Sequence, residues 1–317
     1  MSETTLRLGW VQMAPVWLDR QATTTKMLHY LTQAAEQGAQ LLAFGEALLP
    51  GYPYWLDYTG GARFNNQQQK EAYAWYASQA VQIERGDLVP FQQAARRHAM
   101  ALLLGIIERP QDRGGHSLYC SMVYIDAAGE IQNVHRKLQP TYEERLVWSP
   151  GDGHGLRTFS LGPFTLGGLN CWENWMPLPR AALYGQGENL HVASWPGSLR
   201  NTEILTRFLA REGRSYTLSV SGLFRAADIP DHLPQAAWLR ENAPARISDG
   251  GSCLAGPDGN WLVEPRTDEE FVQVVTIDYQ TVLRERQNFD PAGHYSRPDV
   301  TQLHVNRERQ GTLRMGD

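Results

Sequence analysis

YCSMVYIDAAGEIQNVH (119–135) holds two runs rich in aromatic and β-branched residues, 119–125 and 131–135, on either side of Asp126-Ala127-Ala128-Gly129. Turn residues between two such runs signal a hairpin, and a hairpin joins antiparallel strands. A different grammar precedes it. Residues 24–37 read as a helix with Leu28, Leu31 and Ala35 on one face and Gly38 suited to its end. The run Leu41-Leu42-Ala43-Phe44 then reads as a strand covered on both faces. Hairpins in some places and helix–strand alternation in others predict an α/β chain, a four-layer αββα sandwich of two mixed β-sheets with helices outside.

The remaining chain fits that layering. Residues 6–13, 101–107, 157–161, 164–170, 190–194 and 217–224 read as strands, and 67–81, 90–98 and 202–212 as helices, with another helix from Pro177. Pro257-Asp258-Gly259-Asn260 turns into a strand at 261–263, and 271–277 closes the sheet. With no linker-like break, residues 1–305 are expected to form a single domain and 306–317 a short C-terminal tail, loose or used in assembly. At 317 residues and 42% apolar composition a large core is available.

A net charge of −5 with scattered arginines argues against nucleic acid as a partner. The longest apolar run, 101–107, is too short to span a membrane, and residues 1–9 lack a basic region followed by an apolar one, so a cytoplasmic protein is expected. Three cysteines without a Cys-x-x-Cys pair do not make a disulfide framework. The nine histidines include no His-Glu-x-x-His, and Gly151-Asp152-Gly153-His154-Gly155 is not a dinucleotide loop, so neither metal nor organic cofactor is expected.

Function gathers at strand ends. Cys171 follows the strand 164–170 and precedes the Pro177 helix, an elbow whose backbone N–H groups lower a thiol's pKa and serve an oxyanion. A buried structural cysteine is the alternative, although Asn170-Cys171-Trp172-Glu173-Asn174-Trp175 breaks an apolar strand with a charge and two amides. Glu46 ends the run 41–44, where desolvation raises a carboxyl toward the range of a general base, or it is a solvated loop residue. Lys137, after the strand 131–135, is a stabilising cation or an ordinary surface lysine. Glu144 either holds that lysine or pairs with Arg145 at the surface. Cys120 and Cys253 read as structural.

Three segments in order resemble the nitrilase superfamily and its nitrilase branch: Gly45-Glu46 followed by Leu49-Pro50-Gly51-Tyr52-Pro53, His135-Arg136-Lys137-Leu138 with Pro140-Thr141, and Cys171-Trp172-Glu173-Asn174. Trp148-Ser149-Pro150-Gly151-Asp152-Gly153 and Gly293-His294-Tyr295-Ser296-Arg297-Pro298-Asp299-Val300 are similar to the same branch, so the likeness runs from about 6 to about 305. The resemblance implies Cys171 as nucleophile, Glu46 as general base, Lys137 as cationic stabiliser and Glu144 as auxiliary carboxylate. It implies a small nitrile as substrate, with acid and ammonia as products, and a homodimer or higher homo-oligomer. Tyr52, Trp55, Trp172 and Trp195 lie near these motifs and suit an aryl or arylalkyl group. An amidase of the same superfamily and a non-catalytic assembly protein are the competing readings.

Overall fold

The computed structural model describes residues 4–313 and 316. Its first sheet has the order β13-β1-β2-β3-β4-β5, built from β1 (Thr5–Gln12), β2 (Leu41–Phe44), β3 (Ala101–Glu108), β4 (Tyr119–Ile125), β5 (Ile131–Arg136) and β13 (Phe271–Asp278). β1, β2 and β3 run parallel, whereas β4, β5 and β13 are antiparallel to their neighbours. The hairpin of 119–135 is thus where the sheet changes sense.

The second sheet runs β10-β11-β9-β8-β7-β6, with β12 also paired to β11. Its strands are β6 (Phe159–Leu161), β7 (Phe164–Asn170), β8 (Leu190–Trp195), β9 (Tyr216–Ser221), β10 (Leu223–Arg225), β11 (Arg246–Ala255) and β12 (Trp261–Thr267). The expected strand 217–224 breaks at Gly222, because its amide donates to Trp195 O and the chain turns off to pair β10 with β11. The expected strand 157–161 keeps only its last three residues. The 271–277 strand does not pair with β12, its neighbour in sequence. It crosses back to lie beside β1.

The period of two in β2 explains the layers. Leu41 and Ala43 point into a core shared by both sheets, with Leu8, Trp10, Leu103, Val192 and Leu218. Leu42 and Phe44 point the other way, against Met27 and Leu31 of α1 (Arg20–Glu36) and, beyond α2 (Trp55–Tyr58) and α3 (Gln67–Gln79), Phe91 of α4 (Val89–His98). Each such side chain contributes about 2 kcal/mol by burial. On the far face, α5 (Pro177–Tyr184) covers Leu169 and α6 (Leu199–Gly213) covers Ala193 and Trp195. α1 starts four residues earlier than the periodicity suggests because Asp19 caps it, accepting from Ala22 N at 2.9 Å. α7 (Ala236–Asn242) and α8 (Tyr279–Arg286) complete the helices.

Part of the stretch expected to be a loose tail is pinned down. Arg309 Nη1 pairs with Asp152 Oδ1 at 3.0 Å and Gln310 N donates to Asp152 Oδ2 at 2.9 Å. Residues 314, 315 and 317 of that tail lie outside the described residues. No helix among the described residues is long and apolar enough to cross a membrane.

Candidate active site

Four chain segments converge at one end of the sandwich. β2 runs through Gly45 into Glu46, whose amide donates to Trp195 O at the end of β8 (3.0 Å), so the two sheets are tied at this point. Gly105 permits it, since a Cβ there would lie 2.0 Å from Gly45 O. β5 runs into Lys137, whose amide donates to Cys120 O on β4 (2.8 Å). Glu144 lies in a 3₁₀ turn, Tyr142–Leu146, and Cys171 opens another, Cys171–Trp175, directly after β7. Ala47, Tyr142 and Cys171 all take left-handed backbone angles, with φ of 53°, 46° and 46°. For residues with a Cβ this costs about 1–3 kcal/mol each, a strain that concentrates at functional turns.

The side chains form a buried quartet. Lys137 Nζ lies 2.8 Å from Glu46 Oε1 and 2.7 Å from Glu144 Oε2. Glu144 Oε2 also accepts from Thr141 N (2.6 Å) and its Oε1 from Tyr52 Oη (2.8 Å). Cys171 Sγ and one oxygen of each carboxylate lie within 4.8 Å of one another. A thiol and two carboxylates so close resemble a metal cradle, but the Lys137 ammonium already fills the cation's position between them. Glu46 Oε2 is buried with no hydrogen-bond partner among the described residues.

Burial raises the Glu46 carboxyl to about 7, with Lys137 opposing the shift and Glu144 adding to it. Burial pulls the Lys137 ammonium down, yet the charges of Glu46, Cys171 and Glu144 outweigh it and hold the pKa well above the ordinary lysine value. For Cys171 the elbow does not lower the thiol's pKa as the sequence suggested. Burial and the Glu46 charge push it well above the free-thiol value, and Lys137 and the Trp172 amide offset this only in part. The lysine's charge is already spent on two carboxylates. The resting site therefore holds a protonated thiol beside a carboxyl able to take its proton.

A second layer locks the Cys171 turn to the Lys137 strand. Glu173 accepts from Leu138 N (2.7 Å) with Oε1 and from Asn170 N (2.8 Å) with Oε2, and His135 Nε2 sits 3.1 Å from both oxygens. These contacts place Glu173 below its ordinary pKa despite burial. Asn174 Nδ2 donates to the carbonyls of Leu169 and Cys171 (3.1 and 2.8 Å), which turns its Oδ1 toward His191 Nε2 (2.8 Å), and His191 Nδ1 faces Glu188 Oε1 (2.8 Å). Nδ2 must donate to those carbonyls, so Oδ1 is left to accept from His191 Nε2.

Of the expected residues, Glu46, Lys137, Glu144 and Cys171 come together, and Tyr52 joins them through its hydroxyl. Trp195 packs beside Cys171 and donates to Ser219 Oγ (3.1 Å). Trp55 instead sits in an aromatic cluster with Trp17 and Tyr76, and Trp172 is 52% exposed. Cys120, read as structural, donates from Sγ to Glu46 Oε1 at 3.3 Å. Nothing in its strand pattern marks it. Glu173 had a signal: Asn170 followed three residues later by Glu at a strand-to-helix junction is a capping pair.

Residues 7–287 match the carbon–nitrogen hydrolase family model. A relative named nitrilase 2, from an unknown prokaryotic organism, is 36% identical over 305 residues, covering 96% of this chain and 93% of its own length. An aliphatic nitrilase of Rhodococcus rhodochrous is 34% identical, covering 96% and 83%. Among solved structures, a carbon–nitrogen hydrolase of Helicobacter pylori superposes with a TM-score of 0.70 at 19% identity, covering 94% of this chain and 97% of that one. An amidase of Nesterenkonia AN1 superposes at 0.65 and 20% identity, covering 91% and 96%.

Proposed function

Because this chain belongs to the carbon–nitrogen hydrolase family, we propose that it is a nitrilase in which Cys171 attacks the nitrile carbon, Glu46 moves the protons, and Lys137, held by Glu144, stabilises developing negative charge. The observation that carries the reading is the buried quartet with a protonated thiol beside a carboxyl poised near 7. A carboxyl of that pKa is close to the best compromise for accepting and returning a proton near neutrality. The nitrilase names of the relatives at 31–36% identity support nitrile over amide.

The chemistry balances without a cofactor. Glu46 takes the thiol proton as sulfur bonds to the nitrile carbon, and the proton passes to nitrogen, giving a thioimidate. Glu46 then takes a proton from water as its oxygen adds to that carbon, and Lys137 with the Trp172 amide faces the charge of the tetrahedral adduct, each such donor being worth about 3 kcal/mol. Ammonia leaves with the proton from Glu46 and the one that the added hydroxyl gives up to nitrogen as its C=O forms, and a thioester remains. A second water, deprotonated the same way, releases the acid and restores the thiol.

An aryl or arylalkyl substituent is supported by the aromatic residues behind the base, where Tyr52 contacts Tyr54 and Trp148 at ring distances of 4.8 and 5.4 Å. Residues 1–305 act as one catalytic domain in this reading. A homo-oligomer is part of it too, since α5 and α6 leave Leu178, Ile204 and Phe208 exposed to 64, 71 and 49%, an apolar face suited to a second copy. The test is incubation with phenylacetonitrile, a short aliphatic nitrile and phenylacetamide, reading ammonia and acid, beside Cys171→Ala. Acid from the aryl nitrile, lost in the variant, is expected. Preference for the aliphatic nitrile overturns the substituent assignment, amide turnover alone moves the chain to the amidases, and activity surviving in Cys171→Ala removes the nucleophile.

A further inference from the structure

The geometry points to Cys120 as a positioning residue for the catalytic base: its S–H and the Lys137 ammonium together occupy Glu46 Oε1, leaving Oε2 as the oxygen that takes the Cys171 proton. The inference rests on the reading of Glu46 as base. Cys120 lies within β4, 1% exposed, and its two ends serve two catalytic groups. Its carbonyl accepts from Lys137 N at 2.8 Å and its Sγ donates to Glu46 Oε1 at 3.3 Å. The other cysteine outside the quartet, Cys253, is placed differently, with Sγ 3.4 Å from Thr206 Oγ1 under α6.

A buried carboxylate is costly unless its lone pairs find donors. In Glu46 both donors fall on one oxygen, so the charge is anchored at Oε1 and the unpartnered Oε2 is the better proton acceptor. The division also fixes the rotation of the carboxyl group, so that Oε2 does not have to be found again at each of the three proton transfers. A thiol suits this place because it is a weak donor. It orients the carboxylate without drawing its basicity down to that of an ordinary glutamate.

The groups facing Glu46 set the sign of the effect. From β5 and the following turn come Lys137 and Glu144, from β4 Cys120, from the nucleophile's turn Cys171, and from the loop after β2 and from α3 the hydroxyls of Tyr52, Tyr54 and Tyr76. Lys137 and Cys120 favour the carboxylate, whereas Glu144 and burial oppose it. Removing the Cys120 donor leaves the opposing effects less countered, so the Glu46 pKa rises. Glu46 works as the ionised base, so the acid limb of the pH profile moves to higher pH.

The experiment is the kcat/KM pH profile for phenylacetonitrile in wild type, Cys120→Ala and Cys120→Ser, with Glu46→Gln alongside. The expected result is an acid limb about 0.5–1 pH unit higher in Cys120→Ala, which lowers kcat/KM about 3- to 10-fold on that limb. In Cys120→Ser, which restores a donor of similar shape, the limb returns to or below the wild-type position. A limb that stays put in Cys120→Ala, or moves equally in both variants, overturns the inference, since packing alone would treat them alike. Should Cys120→Ala fail to fold, Cys120→Val, which fills the space without a donor, is read in its place. If Glu46→Gln keeps activity and the same limb, the base assignment itself falls, whatever Cys120 does.

Discussion

Replacing Lys137 with Met takes away the ammonium that lies 2.8 Å from Glu46 and 2.7 Å from Glu144, in a site closed to water. Breaking a buried ion pair by removing one partner costs about 3–5 kcal/mol, because the other charge is left without compensation. For 317 residues the unfolding entropy at the midpoint is about 0.67 kcal/mol/K, so Tm falls by about 5–8 °C. The loss depends on pH with a definite sign. Glu46 loses the charge that favoured its ionised form, so its folded-state pKa moves further above the unfolded value of about 4.3. A group raised in the folded state contributes stability below the unfolded pKa and loses it as pH rises through the folded one. The gap between wild type and variant should therefore be small near pH 5 and widen toward pH 8. Thermal melts at both pH values, and of Lys137→Met/Glu144→Gln, measure this, and the double variant should recover part of the loss at pH 8. A gap of equal size at both pH values, or a variant as stable as wild type at pH 8, would refute the picture of two carboxylates balanced on one ammonium.

The wild-type kcat/KM profile should fall below a midpoint near 7, where Glu46 takes up its proton, and Glu46→Gln should lose this limb together with turnover, as read by ammonia release across pH 5–9. Glu173→Gln keeps the shape but gives up charge-assisted bonds to Leu138 N, Asn170 N and His135. It should cost about 2–3 kcal/mol in thermal melts and slow alkylation of Cys171 by iodoacetamide, the site being located by mass spectrometry. His191→Phe strands Glu188 and the Asn174 side-chain oxygen in the core, a loss of about 3 kcal/mol or more read by denaturant titration, whereas His191→Gln, which keeps a donor toward Asn174, should lose clearly less.

Some of this architecture was written in local pattern. Four consecutive apolar residues at 41–44, bounded by Gly45, fit a short strand covered on both faces, and the turn at 126–129 announces its own hairpin. Other parts depend on partners far along the chain. β13 pairs with β1 across about 260 residues or more, and nothing in 271–278 names that partner over the adjacent β12. At the site, Glu46, Lys137 and Cys171 betrayed themselves as polar residues at the ends of apolar runs. Cys120 did not, because a cysteine within Tyr119–Ile125 is the ordinary occupant of a buried strand, and its contact with Glu46 exists only once β2 and β4 are both in the sheet around β3. The thiol's pKa was misread for a related reason. An elbow's amides are visible in sequence, but two carboxylates arriving from other strands are not.

The same remoteness explains why the reaction needs this sandwich. Glu46 and Lys137 end strands of one sheet and Cys171 ends a strand of the other, so the distance from the proposed nucleophile to its proposed base is the distance between sheets. That spacing is set by packed side chains, which resist compression far better than a loop does. Hydrogen bonds then fix the sliding of one sheet over the other at this end: Glu46 N to Trp195 O, Ser194 Oγ to Phe44 O at 3.3 Å, and Glu173 to Leu138 N. In the proposed mechanism, the proton that leaves Cys171 for Glu46 alters no net charge: two carboxylates and an ammonium become one carboxylate, a thiolate and an ammonium. A step that keeps total charge constant in a closed site avoids the solvent reorganisation that would otherwise raise its barrier. Holding the thiol protonated at rest is thus compatible with fast attack, provided the distance between the two sheets stays fixed.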